Sequence, residues 1–289
     1  MSASHETAAE VTSTPRLMGI WAHPDDESFG MAGSMARATR TGHLVAIVCA
    51  TRGEEGEIAD PALATPENLG EVREGELRRA CAAVGVTDVS FLDYRDGHLT
   101  EADPNEVVRK VVAHLRRFRP DVVVTFAANG GYGHPDHMAI HRATLAALAA
   151  AADPNAFAEQ LQGGLRPHRV RKVYYNAFVR ERMIEMREEA RKAGHDFLPG
   201  GNAATIPLEE MGTPMADVTT FVKLDDADFA AKQASMAAHA TQMPADGPFA
   251  SATPEQLRQF MGTEVFQLTP PPLSAAVYPR PENDLFAGL

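Results

Sequence analysis

The sequence predicts an α/β fold: a doubly wound, mostly parallel sheet with a smaller C-terminal lobe. Three observations carry that expectation. Short apolar runs alternate with segments of helical spacing, the pattern of parallel strands joined by right-handed crossovers. The run Leu44 to Ala50 (LVAIVCA) is apolar throughout, as suits a strand covered on both faces. Finally, one His-Pro-Asp turn follows directly on the first run and another lies shortly after the fourth. In a Rossmann-like sheet of order 3-2-1-4-5 those two strands are neighbours, and ligands bind in the crevice between their carboxyl ends.

Residues 1–15 are polar, include Glu6, Glu10 and Pro15, and read as a disordered tail without the apolar stretch of a signal peptide. Arg16 to Ala22 reads as the first strand. A helix from Phe29 to Thr41 ends at Gly42, a residue suited to the position after a helix. After the second strand comes a polar loop, Thr51 to about Leu69. A helix (Glu71 to Val84), a strand (Val89 to Leu92) and a helix (Pro104 to Phe118) follow. Asp121 to Ala127 (DVVVTFA) is the clearest strand, leading to a helix over Pro135 to Ala152 and a fifth strand over Lys172 to Phe178. These elements make residues 16–194 an α/β core. Residues 195–289 form a C-terminal elaboration completing the substrate cleft. It holds a strand near Thr219 to Leu224 and a helix at Asp225 to His239, and the charged helix Glu181 to Lys192 leads into it. Pro270, Pro271, Pro272, Pro279 and Pro281 suggest an extended arm over the surface.

Composition narrows the function. The chain has 289 residues and a formal net charge of −12, which argues against binding nucleic acid or anionic lipid. No apolar run is long enough for a membrane span, and a cytoplasmic protein is expected, with a homo-oligomer left open. Cys49 and Cys81 supply neither a disulfide framework nor a thiolate metal cage and read as core residues. The glycine fingerprint of dinucleotide binding is absent after the first strand, so a nicotinamide cofactor is not supported.

The two turns, Ala22-His23-Pro24-Asp25-Asp26-Glu27 and Tyr132-Gly133-His134-Pro135-Asp136-His137, hold what a hydrolytic metal site needs. Such a site takes three nitrogen or oxygen ligands and leaves a position for water. His23, Asp25, Asp26, His134, Asp136 and His137 form the pool. Asp25 and Asp26 project differently from an extended turn, so one can be ligand and the other base. His141, one helical turn after His137, is either a fourth ligand or a solvent or supporting residue.

With AHPDDE at Ala22–Glu27 and HPDH at His134–His137, the sequence resembles the LmbE/PIG-L family of metal-dependent de-N-acetylases. The resemblance extends over Thr51–Glu57, Arg73–Leu77, Tyr94–Asp96 and Ala238–Gln242, and is strongest to the mycothiol-pathway deacetylase and S-conjugate amidase branch. It implies that His23, Asp26 and His137 bind the metal, Zn²⁺ or alternatively Fe²⁺, and that Asp25 is the general base. It further implies His134 as general acid, oriented and charged by Asp136, and Tyr132 as donor to the oxyanion. Arg73, Asp96 and Gln242 match substrate-binding positions. The activity implied is removal of an N-acetyl group from a GlcNAc-inositol-like conjugate, a small-molecule substrate. Cleavage of a larger acyl group from a mycothiol S-conjugate is the alternative. A non-catalytic metal- or glycan-binding module is the alternative of another class, but it would have lost Asp25 or His134.

Other residues are open to two readings. Arg52, Glu54, Glu55 and Glu57 make either a solvated acidic loop or a rim touching substrate. Arg95 and Asp96 could pair with each other. His239 reads as a residue satisfying carbonyls at a helix end. Met183, Met186, Met211 and Met215 read as gap fillers, and Trp21 as core.

Overall fold

The computed structural model describes residues 14–192, 204–243, 252–270, 274 and 280–289. The expected tail therefore lies almost wholly outside the described residues, as do Pro271, Pro272 and Pro279. Strands β1 (Arg16–Trp21), β2 (Leu44–Cys49), β3 (Asp88–Phe91), β4 (Val122–Phe126) and β5 (Lys172–Asn176) are parallel. Two more, β6 (Thr220–Lys223) and β7 (Thr263–Leu268), join antiparallel to give the order β3-β2-β1-β4-β5-β7-β6. The 3-2-1-4-5 order is as the sequence suggests, with β6 and β7 extending it beyond β5.

The crossover helices are α1 (Asp26–Arg40), α2 (Leu69–Ala83), α3 (Pro104–Phe118) and α5 (Pro135–Ala152). A short turn, α4 (Gly130–Gly133), precedes α5, and α6 (Ala158–Gln162) follows it; α7 (Arg180–Lys192), α8 (Asp226–Ala237) and α9 (Pro254–Met261) complete the set. Local chemistry explains the boundaries. Asp103 caps α3 by accepting from the Asn105 N–H, Pro104 occupies the first turn, and Arg119 ends the helix in the left-handed region. Val107, Val111, Leu115 and Phe118 recur on one face of α3 and are buried. The contiguous apolar β4 is buried at every position, as expected of a central parallel strand. No helix among the described residues is long and apolar enough to cross a membrane.

Two departures have physical causes. Strand β7 was not anticipated because the buried side of TEVFQL carries Glu264 beside Phe266 and Leu268, which hides the apolar alternation. The chain end is also no surface arm where it is described. Ser274, Glu282 and Leu285 are buried. Glu282 accepts from Lys172 Nζ at 2.9 Å, Tyr174 Oη at 2.7 Å and Thr220 Oγ1 at 3.0 Å. Replacing Glu282 by Ala would remove the carboxylate from the buried Lys172 ammonium, which keeps the Ala287 carbonyl at 3.0 Å, so Glu282→Ala is expected to lose about 3 kcal/mol of stability in urea unfolding. A loss under about 1 kcal/mol would show that this carboxylate does not anchor the chain end to β5.

Candidate active site

The turn after β1 and the turn before α5 meet at the carboxyl edge of the sheet, where β1 and β4 are hydrogen-bonded neighbours. His23 Nδ1 lies 3.2 Å from His137 Nε2. The Asp26 carboxylate lies 3.8 Å from His23 Nδ1 and 3.4 Å from His137 Nε2. A tetrahedral ion with bonds of about 2.0–2.1 Å holds its ligand atoms about 3.3 Å apart, close to the spacing of the two ring nitrogens, while Asp26 turns a different oxygen to each ring, Oδ2 to His23 and Oδ1 to His137.

Hydrogen bonding settles which ring nitrogens carry protons. His137 Nδ1 faces the Gly130 carbonyl at 2.9 Å; a carbonyl only accepts, so Nε2 keeps its lone pair. Gly130 has φ 62°, and a Cβ there would lie 2.8 Å from the His137 Cβ, so only glycine lets this carbonyl curl onto the ring. The far nitrogen of His23, Nε2, faces Asp96 Oδ1 at 2.9 Å and Asp136 Oδ2 at 3.4 Å. Its Nδ1 lone pair therefore points at that of His137. Two such lone pairs need a proton or a metal ion between them. Burial opposes charging His23, but hydrogen bonds to Asp136 and Asp96 and the charge of Asp26 outweigh it and push its pKa up to about 10. Burial, reinforced by His23 and His134, drives His137 far the other way. The donor set, two imidazoles and a carboxylate with acidic groups behind them, fits a divalent metal.

Asp25 sits in a strained conformation, φ 115° and ψ −30°, outside the regions favoured by a residue with a Cβ. The turn is held from both sides. Arg73 donates to the Pro24 carbonyl at 2.6 Å, to the Gly53 carbonyl at 2.9 Å and to Asp25 Oδ2 at 3.3 Å. Glu27 Oε2 accepts from the Asp25 N–H at 3.0 Å, and its Oε1 meets His239 Nε2 at 2.8 Å. Gly53, φ 70°, leaves room for Arg73, since a Cβ would come within 2.2 Å of the guanidinium. Burial raises the Asp25 carboxyl above the usual carboxylate range, with Arg73 and His239 pulling it down.

Several expectations change here. Asp136 does not hydrogen-bond the His134 ring. Its carboxylate accepts from the Gly97 and Leu99 N–H groups at 2.8 and 3.1 Å and lies against His23, because it projects back towards the loop after β3. The His134 Nδ1 accepts from the Asp136 N–H at 3.2 Å, capping α5, and no partner meets its Nε2 among the described residues. Burial and the charge of His23 lower its pKa to about 4. Arg73 and Asp96, matched to substrate positions, are buried and engaged with the turn and with His23. Arg95 pairs with Glu55 rather than with Asp96. His239 is fully buried against Glu27 instead of serving helix carbonyls, because α8 ends at Ala237 and the chain turns inward. His141 donates from Nδ1 to the Phe126 carbonyl at 2.8 Å and stands outside the two groups, His23/His134/His137 and His23/Asp96/Asp136, whose donor atoms cluster within 4.8 Å.

A cavity of about 560 Å³ opens on Asp25, Asp26, His137, Tyr132 and Gln242. Gln242 donates to the Glu57 carbonyl and the Thr241 hydroxyl at the rim. Burial and the charges of Asp26 and Asp25 hold the Tyr132 phenol protonated far above its ordinary value. The opposite wall is apolar, with Phe178, Met183, Met186, Phe260 and Met261. Met183 and Met186 are thus cavity residues, a role their helical spacing alone does not distinguish from gap filling. Met211 is core and Met215 is exposed. The acidic loop lines a separate surface hollow, where Arg52 is paired with Glu74 and Asp93. Trp21, Cys49 and Cys81 are core, the cysteines being free thiols.

A doubly wound sheet with a cation site of His and Asp at its switch point defines a class of hydrolytic metalloenzyme, and comparison with known proteins narrows it. The family model for PIG-L, GlcNAc-PI de-N-acetylase, matches residues 18–148. The 1D-myo-inositol 2-acetamido-2-deoxy-α-D-glucopyranoside deacetylase of Streptomyces avermitilis is 38% identical over 95% of this chain and 97% of its own length. The chain belongs to the PIG-L family. Among solved structures, N,N′-diacetylchitobiose deacetylase from Pyrococcus horikoshii aligns with TM-score 0.65 at 22% identity, over 88% of this chain and 84% of that one. The 4-carboxy-2-hydroxymuconate hydratase of Pseudomonas putida aligns with TM-score 0.58 at 17% identity, over 92% and 100%. These two likenesses concern the fold, which hosts both a deacetylase and a hydratase, so chemistry has to be argued from the site.

Arg73 separates positioning from substrate contact. Arg73→Met leaves the Pro24 and Gly53 carbonyls without their donor and is expected to cost about 2–4 kcal/mol in unfolding measurements, with kcat falling. A selective rise in KM at unchanged stability would instead mark Arg73 as a substrate contact.

Proposed function

We propose that this protein is a metal-dependent hydrolase that removes the acetyl group from the glucosamine nitrogen of a GlcNAc-inositol-like conjugate. One observation carries the reading: two imidazoles and a carboxylate come together at the edge of a cavity, beside a strained, half-buried aspartate. His23, Asp26 and His137 would hold the cation, with Asp96 and Asp136 orienting His23. A divalent metal, when bound, polarises the amide carbonyl and makes water more acidic. Two imidazoles and a carboxylate suit Zn²⁺ and Fe²⁺ alike, and Zn²⁺ is the ion proposed.

The chain's own groups supply the rest. Asp25 takes the proton from the attacking water, and the Arg73 guanidinium keeps its carboxylate aimed into the cavity. Tyr132 donates its phenolic proton in a hydrogen bond to the carbonyl oxygen as negative charge develops there. The proton that Asp25 takes from water passes on to the departing amine, without which an amide's leaving group is too basic to depart; His134, the general acid of this reading, acts as the imidazolium that this proton forms and is neutral again once it has given it up. Gln242 meets the substrate at the rim. The C-terminal elaboration (195–289) completes the cleft through Gln242, Phe260, Met261 and Val265, which line the cavity opposite the core's turns. The location proposed is the cytoplasm.

The apolar wall of Met183, Met186 and Phe260 favours a second reading, in which the acyl group removed is larger than acetyl, as in an amidase acting on mycothiol S-conjugates. Assays of amine release from GlcNAc-inositol and from S-blocked mycothiol, side by side, decide between them. Asp25→Asn should retain the metal and lose about 10²–10⁴-fold in kcat. Asp26→Ala should lose the metal itself, read by elemental analysis. Metal loss in the Asp25 variant with retention in the Asp26 variant would reverse the two roles, and no amine release from either substrate would reject the function.

A further inference from the structure

Asn176 ends β5 on the same sheet edge as the metal-binding turns and lines the cavity. The residue is only 6% exposed, yet its carboxamide has no hydrogen-bond partner among the described residues. Its amide nitrogen and oxygen are not sealed inside the protein but reachable from the cavity, so a bound group can meet both. Its neighbours on that wall do not need a ligand. Lys232 Nζ donates to Glu264 at 2.7 Å and to the Phe29 carbonyl at 2.9 Å. Glu264 in turn accepts from the Gly33 and Ser34 N–H groups and the Ser34 hydroxyl. Charge there is balanced within the protein, and the group left over is a neutral donor and acceptor. Gly30 makes the space, since a Cβ would lie 3.1 Å from Asn176 Nδ2.

Position identifies what it meets. Asn176 is paired in register with Phe126, whose ring stacks on His137 with centroids 3.9 Å apart. Asn176 is therefore one strand over from the residue that backs a metal ligand's ring, and it lines the same cavity as His137, Asp25 and Asp26. We propose that Asn176 is a specificity-determining residue that hydrogen-bonds a ring hydroxyl of the same sugar whose N-acetyl group is cleaved. A hydroxyl both donates and accepts, so it satisfies a carboxamide that has no other partner. The inference rests on the amino-sugar reading of the site.

The test pairs substitutions at Asn176 with deletions on the sugar. Methyl 2-acetamido-2-deoxy-α-D-glucopyranoside and its 3-, 4- and 6-deoxy analogues are assayed with wild-type protein, Asn176→Leu and Asn176→Ala, with melting temperature and metal content recorded. In wild type one deoxy analogue should lose about tenfold in kcat/KM, the worth of one buried hydrogen bond. Both variants should lose about as much on the parent sugar and no longer distinguish that analogue. Equal losses on all four sugars, or no loss, would overturn the proposal. Titration calorimetry of the same sugars against the Asp25→Asn protein repeats the comparison without turnover. Coupling there without amine release in wild type would reject the deacetylase reading and keep the contact. Absence of coupling in both experiments rejects the contact.

Discussion

Two imidazole nitrogens facing each other 3.2 Å apart, each with its other nitrogen committed to an acceptor, are the constraint around which the molecule is arranged. Such a pair is repulsive unless a positive charge lies between or beside the lone pairs. Asp26 adds a third donor, and Asp96 and Asp136 press on His23 from behind. The surplus of carboxylates over permanent cations in this region makes a cation the natural occupant. It also gives a local meaning to part of the chain's net charge of −12.

That convergence has structural costs, met by contacts far apart in sequence. The strained Asp25 is held by Arg73 from α2 and by Glu27, whose charge is balanced by His239 beyond α8. The far wall depends on Glu264 of β7 and Lys232 of α8, tied to the backbone of α1. Buried charges of this kind are strongly destabilising when one partner is removed, so they couple the C-terminal part of the chain to the turn that carries the chemistry. Rigid supports of this sort keep a reacting group within a fraction of an ångström of its working geometry.

Much of this was legible in the sequence, and the reasons are local. Continuous apolar runs located β1, β2 and β4, and the two His-Pro-Asp turns located the switch point, since turn chemistry depends on residues close in sequence. The partners of those turns were not legible, because they are set by tertiary placement. Nothing near Asp96 announces that it will face His23 rather than a ligand, and nothing near His239 announces Glu27. Asn176 falls inside the fifth strand read from the sequence, Lys172 to Phe178, and only its place on the cavity wall marks it out. Strand β7 stayed hidden because a buried glutamate occupied an apolar position. Polar residues inside the molecule are where patterns of hydrophobicity carry least information.

The central claim is that carboxylates behind His23 set its orientation and donor strength towards a bound cation. Competition titration of the Zn²⁺ dissociation constant for wild type and Asp96→Asn tests it most directly. The account predicts weakening by about 10–100-fold, measured on protein that circular dichroism shows to be folded. An unchanged dissociation constant would contradict it and assign Asp96 to the substrate instead.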